Sequence, residues 1–177
     1  MSDIVVVDDD PGTERLFRKF FSDETWGMRF FTDQDEALTY LRDHPCSLVL
    51  LDIVMPGMGG LDLLYRIKHD HAETTCIMVT AIDDRPTIRA AMQGGAFDYI
   101  TKPIDFHDLR RTIFKALEHA HLIRTMRVQR DSILNYLRAS LKITTNTLKT
   151  LNAAYRRRTE RIARDGEDTE RSRRHST

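Results

Sequence analysis

Cysteine, proline and long apolar runs are all scarce in this chain. Only Cys46 and Cys76 occur among 177 residues, and both stand in apolar stretches of strand character. A disulfide framework is thereby excluded, and a reducing cytoplasm is the expected location. No apolar run approaches the roughly 20 residues that a bilayer span requires, so no membrane partner is expected. The opening Met-Ser-Asp-Ile-Val-Val-Val-Asp lacks the basic start and longer apolar segment of a secretory signal. Proline is missing after Pro103, and glycine is missing between Gly95 and Gly166. Nothing enforces a break there, and the composition predicts helix from about 105 to 163. Residues 166–177 contain no apolar side chain, which predicts a disordered tail.

Net charge is absent overall, with 27 Lys+Arg against 27 Asp+Glu, but the cancellation is between halves. Residues 1–121 carry 13 basic and 21 acidic side chains (13 − 21 = −8), and residues 122–177 carry 14 and 6 (14 − 6 = +8). An acidic part and a basic part imply separate tasks. The expected division is a domain at 1–121, a helical or coiled-coil extension at 122–165 and a tail at 166–177.

What is present is a repeat of strand-length apolar runs, at 4–7, 28–31, 48–51, 77–79 and 97–100, each rich in β-branched or aromatic residues. Continuous runs of this kind suit parallel strands covered on both faces. Amphipathic segments near 12–24, 34–43, 60–70, 84–93 and 106–120 lie between and after them. Asp10-Pro11, Asp33 or Asp35, and Asp83/Asp84 followed by Pro86 can start helices, and Gly94-Gly95 can close one in a left-handed cap. Five strand–helix units predict an α/β domain with a central parallel sheet and right-handed crossovers.

In such sheets function gathers at the carboxyl ends of the strands. The residues predicted there are Asp8 and Asp9, Asp52, Thr80 and Lys102. Carboxylates so placed repel one another, at roughly 4 kcal/mol per pair for 4 Å and an effective dielectric of 20. Their convergence makes chemical sense around a hard divalent cation such as Mg2+, which prefers oxygen ligands. A carboxylate nucleophile screened by that cation, with a lysine and a hydroxyl nearby, is the equipment of phosphoryl transfer.

Four blocks, Val-Val-Asp8-Asp9-Asp10-Pro, Leu-Asp52-Ile-Val-Met-Pro56-Gly, Val-Thr80-Ala81 and Phe-Asp98-Tyr99-Ile-Thr-Lys102-Pro103, resemble the response-regulator receiver family of two-component signalling. The resemblance extends over about residues 2–121. It implies a flavodoxin-like, doubly wound five-stranded sheet in the order 2-1-3-4-5. It further implies that Asp52 is the phosphoacceptor. Asp8, Asp9, Asp52 and the Val54 carbonyl would surround Mg2+, with Mn2+ as an alternative. Lys102, Thr80 and Ala81 would contact the phosphoryl group, and Thr80 with Tyr99 would report it to the face formed by the fourth helix, fifth strand and fifth helix. A cis Lys102-Pro103 peptide and a histidine kinase or phosphotransfer protein as partner follow from the same resemblance. Val54 and Ile82 place apolar side chains where polar ones often position a hydrolytic water, so slow dephosphorylation is expected.

In the extension, heptad counting gives a seam of Leu134, Leu137, Leu141, Leu148 and Leu151, interrupted upstream by Arg127 and Arg130. A homodimer through a coiled coil is expected. Asp131-Ser132 and the run Ile143-Thr144-Thr145-Asn146 leave a helical hairpin as the alternative to one long helix. Arg156-Arg157-Arg158, Arg161 and Arg164 form a cationic stretch. There is no helix-turn-helix signature and no stacking aromatic platform, which argues against nucleic acid as a partner. Two other readings stand beside the switch: the regulatory part of a longer protein whose catalytic effector lies elsewhere, and a nucleic-acid-binding regulator. The residues read as a switch, not an enzyme in their own right.

Overall fold

The apolar runs become strands in a computed structural model that describes the backbone of residues 3–174 and the side chains of residues 4–157. The elements are β1 (Asp3–Val7), α1 (Pro11–Phe20), β2 (Gly27–Phe31), α2 (Gln34–Asp43), β3 (Leu48–Leu51), α3 (Gly60–Asp70), β4 (Thr75–Thr80), α4 (Arg85–Gln93), β5 (Asp98–Thr101) and α5 (Phe106–Arg174). All neighbouring strands are parallel, in the order β2-β1-β3-β4-β5, as the resemblance implied. The chain divides into two compact units, Met1–Met126 and Arg127–Thr177.

Alternation along the strands divides the core in two. Val5, Val7, Val49, Leu51, Cys76 and Met78 pack with Ala37 and Leu41 of α2, Leu63, Leu64 and Ile67 of α3, and Ala91 of α4. Ile4, Val6, Leu48, Leu50, Ile77 and Val79 face the other way, onto Phe17 of α1 and Leu109, Ile113 and Ala116 of α5. Both faces of the sheet are therefore buried, which is why these strands read as unbroken apolar runs. Each fully buried Leu or Ile stabilises by roughly 1.5–3 kcal/mol.

The helix starts follow local chemistry. Asp10, Asp33 and Asp84 cap α1, α2 and α4 by accepting from the backbone N–H groups of Gly12, Glu36 and Thr87. Asp84 is held below the usual carboxylate range, first by the Thr87 backbone N–H and then by the Thr87 side chain. Gly95 takes the left-handed conformation after α4, with φ +92°, where a side chain would be strained. The first helix is shorter than expected, ending at Phe20 rather than near 24. The Phe21 N–H still reaches the Phe17 carbonyl at 2.9 Å, but Glu24 turns back to donate its N–H to Phe21 at 3.2 Å.

The open alternative of a hairpin resolves to one helix, α5. Asp131 does not cap a new helix: its carboxylate takes Arg130 at 2.9 Å and Arg127 at 3.7 Å. The β-branched run stays helical, with Thr144, Thr145 and Thr147 donating their hydroxyls to the carbonyls of Ser140, Leu141 and Ile143, each four residues back. The backbone of α5 is helical through Gly166 to Arg174; one internal glycine costs about 1 kcal/mol. Residues 175–177 and the side chains of Arg158, Arg161 and Arg164 lie outside the described residues. Among the described residues no helix is long and apolar enough to cross a membrane.

Candidate functional site

Strand register assembles the site. Val7 and Leu51 are partners across β1 and β3, so the residues that follow them, Asp8 and Asp52, emerge side by side. Thr80 and Thr101 are partners across β4 and β5, which places Lys102 one step beyond. The ladder continues past the strand ends: Asp8 donates its N–H to Phe31 at 3.1 Å, Asp52 to Val7 at 2.9 Å and Lys102 to Thr80 at 2.8 Å. The backbone carrying the chemistry is thus fixed before any side chain acts.

Lys102 joins the two sides. Its Nζ lies 2.7 Å from Asp52 Oδ2 and 2.8 Å from Asp8 Oδ2. Asp8 and Asp52 are buried, 7% and 6% exposed, so the pairing counters a real desolvation cost. Burial works against the charge of Lys102, but its hydrogen bonds to Asp52 and Asp8 outweigh that and raise its pKa above the usual lysine value. The other carboxylate oxygens hold backbone: Asp8 Oδ1 accepts from Asp10 N–H at 2.9 Å and Asp52 Oδ1 from Val54 N–H at 3.0 Å.

Asp9 completes an acidic group. Oxygens of Asp8, Asp9 and Asp52 lie within 4.8 Å of one another, with Asp9 exposed. Three carboxylates against one lysine leave an excess of negative charge, and the donors are hard oxygens. That combination fits Mg2+ and not a soft metal. Val54 is 56% exposed, in the loop that follows Asp52. A glycine is required where this loop enters α3, because a Cβ on Gly60 would come within 1.9 Å of the Asp52 carbonyl.

Thr80 is fully buried, and its Oγ1 accepts from Ile82 N–H at 3.4 Å. Tyr99 donates its hydroxyl to the Ile82 carbonyl from the neighbouring strand. Burial first, then the charges of Asp84, Asp83 and Asp52, raise the Tyr99 pKa above the ordinary phenol value. Thr80 and Tyr99 therefore grip the same peptide segment from two strands. Ala81, next to Thr80 in the chain, is exposed. The Lys102-Pro103 bond is cis. Asp8, Asp9, Asp52 and Lys102 thus come together beyond the carboxyl ends of the strands, with Thr80 at the end of β4 and Tyr99 within β5. The leucines at 134, 137, 141, 148 and 151 instead lie along α5 in the second unit, 41–67% exposed.

Two participants were missed in the sequence. The Ile82 backbone gives no residue-type signal, since any residue has an N–H and a carbonyl. Gln34, at the start of α2, donates Nε2 to the Pro56 carbonyl at 3.1 Å; no spacing or composition marks it.

The family model described as the response regulator receiver domain matches residues 4–114. The nitrogen assimilation regulatory protein NtrX of Azorhizobium caulinodans is 33% identical over 152 residues, 78% of this chain and 34% of that protein. Among solved structures, a CheY-like response regulator receiver domain from Methanospirillum hungatei aligns with TM-score 0.65 at 26% identity, covering 68% of this chain and 97% of that one. NtrX from Brucella abortus aligns with TM-score 0.65 at 35% identity, covering 71% of this chain and 29% of that one. The chain thus spans about a third of the length of the NtrX proteins it matches.

Proposed function

The chain belongs to the response regulator receiver domain family, and on that premise we propose that Asp52 accepts a phosphoryl group from a histidine kinase or phosphotransfer protein. The observation that carries this reading is the approach of Lys102 Nζ to both Asp52 and Asp8 with the Asp9 carboxylate in reach. A carboxylate oxygen of Asp52 attacks phosphorus, the phosphorus–nitrogen bond to the donor imidazole breaks, and the imidazole leaves with its electron pair and takes up a proton. Lys102 releases its grip on the carboxylates and holds a phosphoryl oxygen. The Thr80 hydroxyl and the Ala81 backbone hold the others.

Asp8, Asp9, Asp52 and the Val54 carbonyl are the residues that would hold Mg2+, or Mn2+ in its place, and the cation would offset the charge of the acceptor and the incoming group. The apolar side chains of Val54 and Ile82 leave a hydrolytic water poorly held, so the phosphorylated state is long-lived. When Thr80 turns to the phosphoryl group, its acceptance from Ile82 N–H is lost. The segment that Tyr99 also grips then moves, and α4, β5 and α5 receive the signal.

The output is a homodimer through the exposed leucines of α5, in the cytoplasm. We read these residues as a switch and not as an enzyme in their own right. The share of NtrX covered, 34%, supports a second reading in which they regulate an effector on a longer chain. The full open reading frame separates the two.

Intact-mass spectrometry after incubation with a small phosphodonor and Mg2+ tests the site. One phosphoryl adduct is expected, lost in Asp52→Asn and in excess chelator; an adduct at full yield in either sinks the assignment.

A further inference from the structure

The loop between Asp52 and α3 carries the Val54 carbonyl, and its hold on the rest of the domain is uneven. At its start, Val54 N–H is held by the carboxylate of Asp52 itself at 3.0 Å. Gly60 N–H returns to the Ile53 carbonyl at 3.0 Å. Between these, Met55 is buried in the core, while Pro56 and Gly57 are exposed and Gly57 has φ +83°, a conformation that suits glycine. The bond that ties this middle stretch to another element comes from Gln34. Its Nε2 donates to the Pro56 carbonyl at 3.1 Å, across 22 residues of sequence.

Gln34 is itself buried, 7% exposed. A long amide at the first turn of a helix ordinarily points to water, because burial costs both solvation and side-chain freedom. Here it is held against the loop that follows the acceptor. Asp33 caps α2 immediately before it, accepting from Glu36 N–H at 2.8 Å, so the base from which Gln34 reaches is fixed. Ile53 and Met55 are also buried in the core, but the loop's other side-chain hydrogen bond among the described residues is to the Asp52 carboxylate, a group whose oxygens are engaged by the reaction. An anchor independent of that carboxylate keeps the loop in place while Asp52 changes partners.

We infer that Gln34 is a positioning residue for the cation site: through the Pro56 carbonyl it fixes the loop that presents the Val54 carbonyl. This rests on the reading of Asp8, Asp9, Asp52 and Val54 as the residues around Mg2+. Groups one step behind metal ligands commonly alter affinity by about 10- to 100-fold. Gln34 acts two residues from the ligand-bearing carbonyl, so a smaller weakening, about fivefold, is expected.

The test is calorimetric titration of the full chain with MgCl2, comparing wild type with Gln34→Met and Gln34→Leu, which keep the bulk and remove the donor. Thermal unfolding in chelator identifies the variants that fold as wild type does. The expected result is an Mg2+ Kd raised about fivefold, with the phosphorylation rate recovering at saturating Mg2+. A folded variant with wild-type Mg2+ affinity, or one whose rate stays low at saturating Mg2+, overturns the inference. Should both variants fail to fold, amide exchange in wild type decides: Met55–Gly59 amides that exchange as fast as an unstructured loop in the absence of Mg2+ overturn it, and slow exchange upholds it. Asp9→Asn is the control for the underlying reading. If wild type binds no Mg2+, or Asp9→Asn binds it equally well, that reading fails; if these controls hold and the Gln34 variants match wild type, only the role of Gln34 fails.

Discussion

Lys102 Nζ stands 2.7 Å from Asp52 Oδ2, across 50 residues of sequence, and the same ammonium holds Asp8. Removing the cation and removing a carboxylate should therefore have opposite effects on the metal-free protein. Lys102→Met leaves Asp8 and Asp52 buried without a counter-charge and lowers Tm in chelator. Asp9→Asn keeps both lysine pairs and removes a repulsive charge, and it raises Tm in chelator. At 4 Å a like-charge pair costs between about 1 kcal/mol in water and about 4 kcal/mol at a dielectric of 20. With Asp9 exposed, the lower figure applies, or a few degrees of Tm for a chain of this size. Thermal unfolding in chelator checks both signs, and Tm changes of the same sign in the two variants contradict the charge account.

Tyr99 and Thr80 meet on the backbone of Ile82. Tyr99→Phe removes the hydroxyl and keeps the ring, which costs about 0.5–1.5 kcal/mol for one hydrogen bond. Phosphorylation of Asp52 should proceed at the wild-type rate, while the amide spectrum of α4 and β5 should shift less on phosphorylation than in wild type. Two-dimensional amide NMR with and without phosphodonor measures this. An unchanged shift pattern would remove Tyr99 from the signal path.

The acidic site was legible because parallel strands deliver their carboxyl ends to one edge, so Asp8, Asp52 and Lys102 needed only strand boundaries and crossover direction to be brought together. The shared use of Ile82 was not legible, because backbone groups are the same at every residue. Gln34 escaped for a related reason: its burial depends on where the Pro56 loop passes, 22 residues on. The choice between one helix and a hairpin hung on Asp131 and on the run Ile143-Thr144-Thr145-Asn146. An aspartate can cap a helix or pair with neighbouring arginines, and only the placement of Arg127 and Arg130 decides which.

Cys76 is fully buried in β4. Burial pushes its thiol up to about 12, only partly offset by Lys68. The folded state thus holds this proton more tightly than the unfolded state does. The resulting stabilisation is fully present below the ordinary thiol pKa near 9.0 and is lost as pH rises from there towards 12. The contribution of this one group falls by about 1.4 kcal/mol per pH unit in that window. Denaturant titrations of wild type and Cys76→Ala from pH 8 to 10 test it: the variant starts less stable because of its cavity, and its alkaline decline should be shallower. Parallel declines would mean that the thiol does not set this limb.

The exposed leucines of α5 should make the protein a dimer. Leu134, Leu137, Leu141, Leu148 and Leu151 are 41–67% exposed and recur at a and d positions of one heptad frame, which brings them to a single seam. Fully burying a leucine stabilises by roughly 1.5–3 kcal/mol, and partial initial burial reduces the gain for each. Ten such side chains in a pair of helices still supply a large gross driving force, against association and ordering costs of at least about 4 kcal/mol. Arg127 and Arg130 occupy seam positions just upstream, paired with Asp131, so the zipper begins at Leu134. Tyr136 is 72% exposed but lies at a c position, off the seam. Sedimentation equilibrium at tens of micromolar should give a dimer for wild type and for Tyr136→Asp, and a monomer for Leu137→Asp/Leu141→Asp. The tyrosine control matters because it adds the same kind of charge to the same helix without entering the seam. A monomeric wild type, phosphorylated or not, rules out the coiled coil, and a dimer that survives both leucine substitutions places the contact elsewhere.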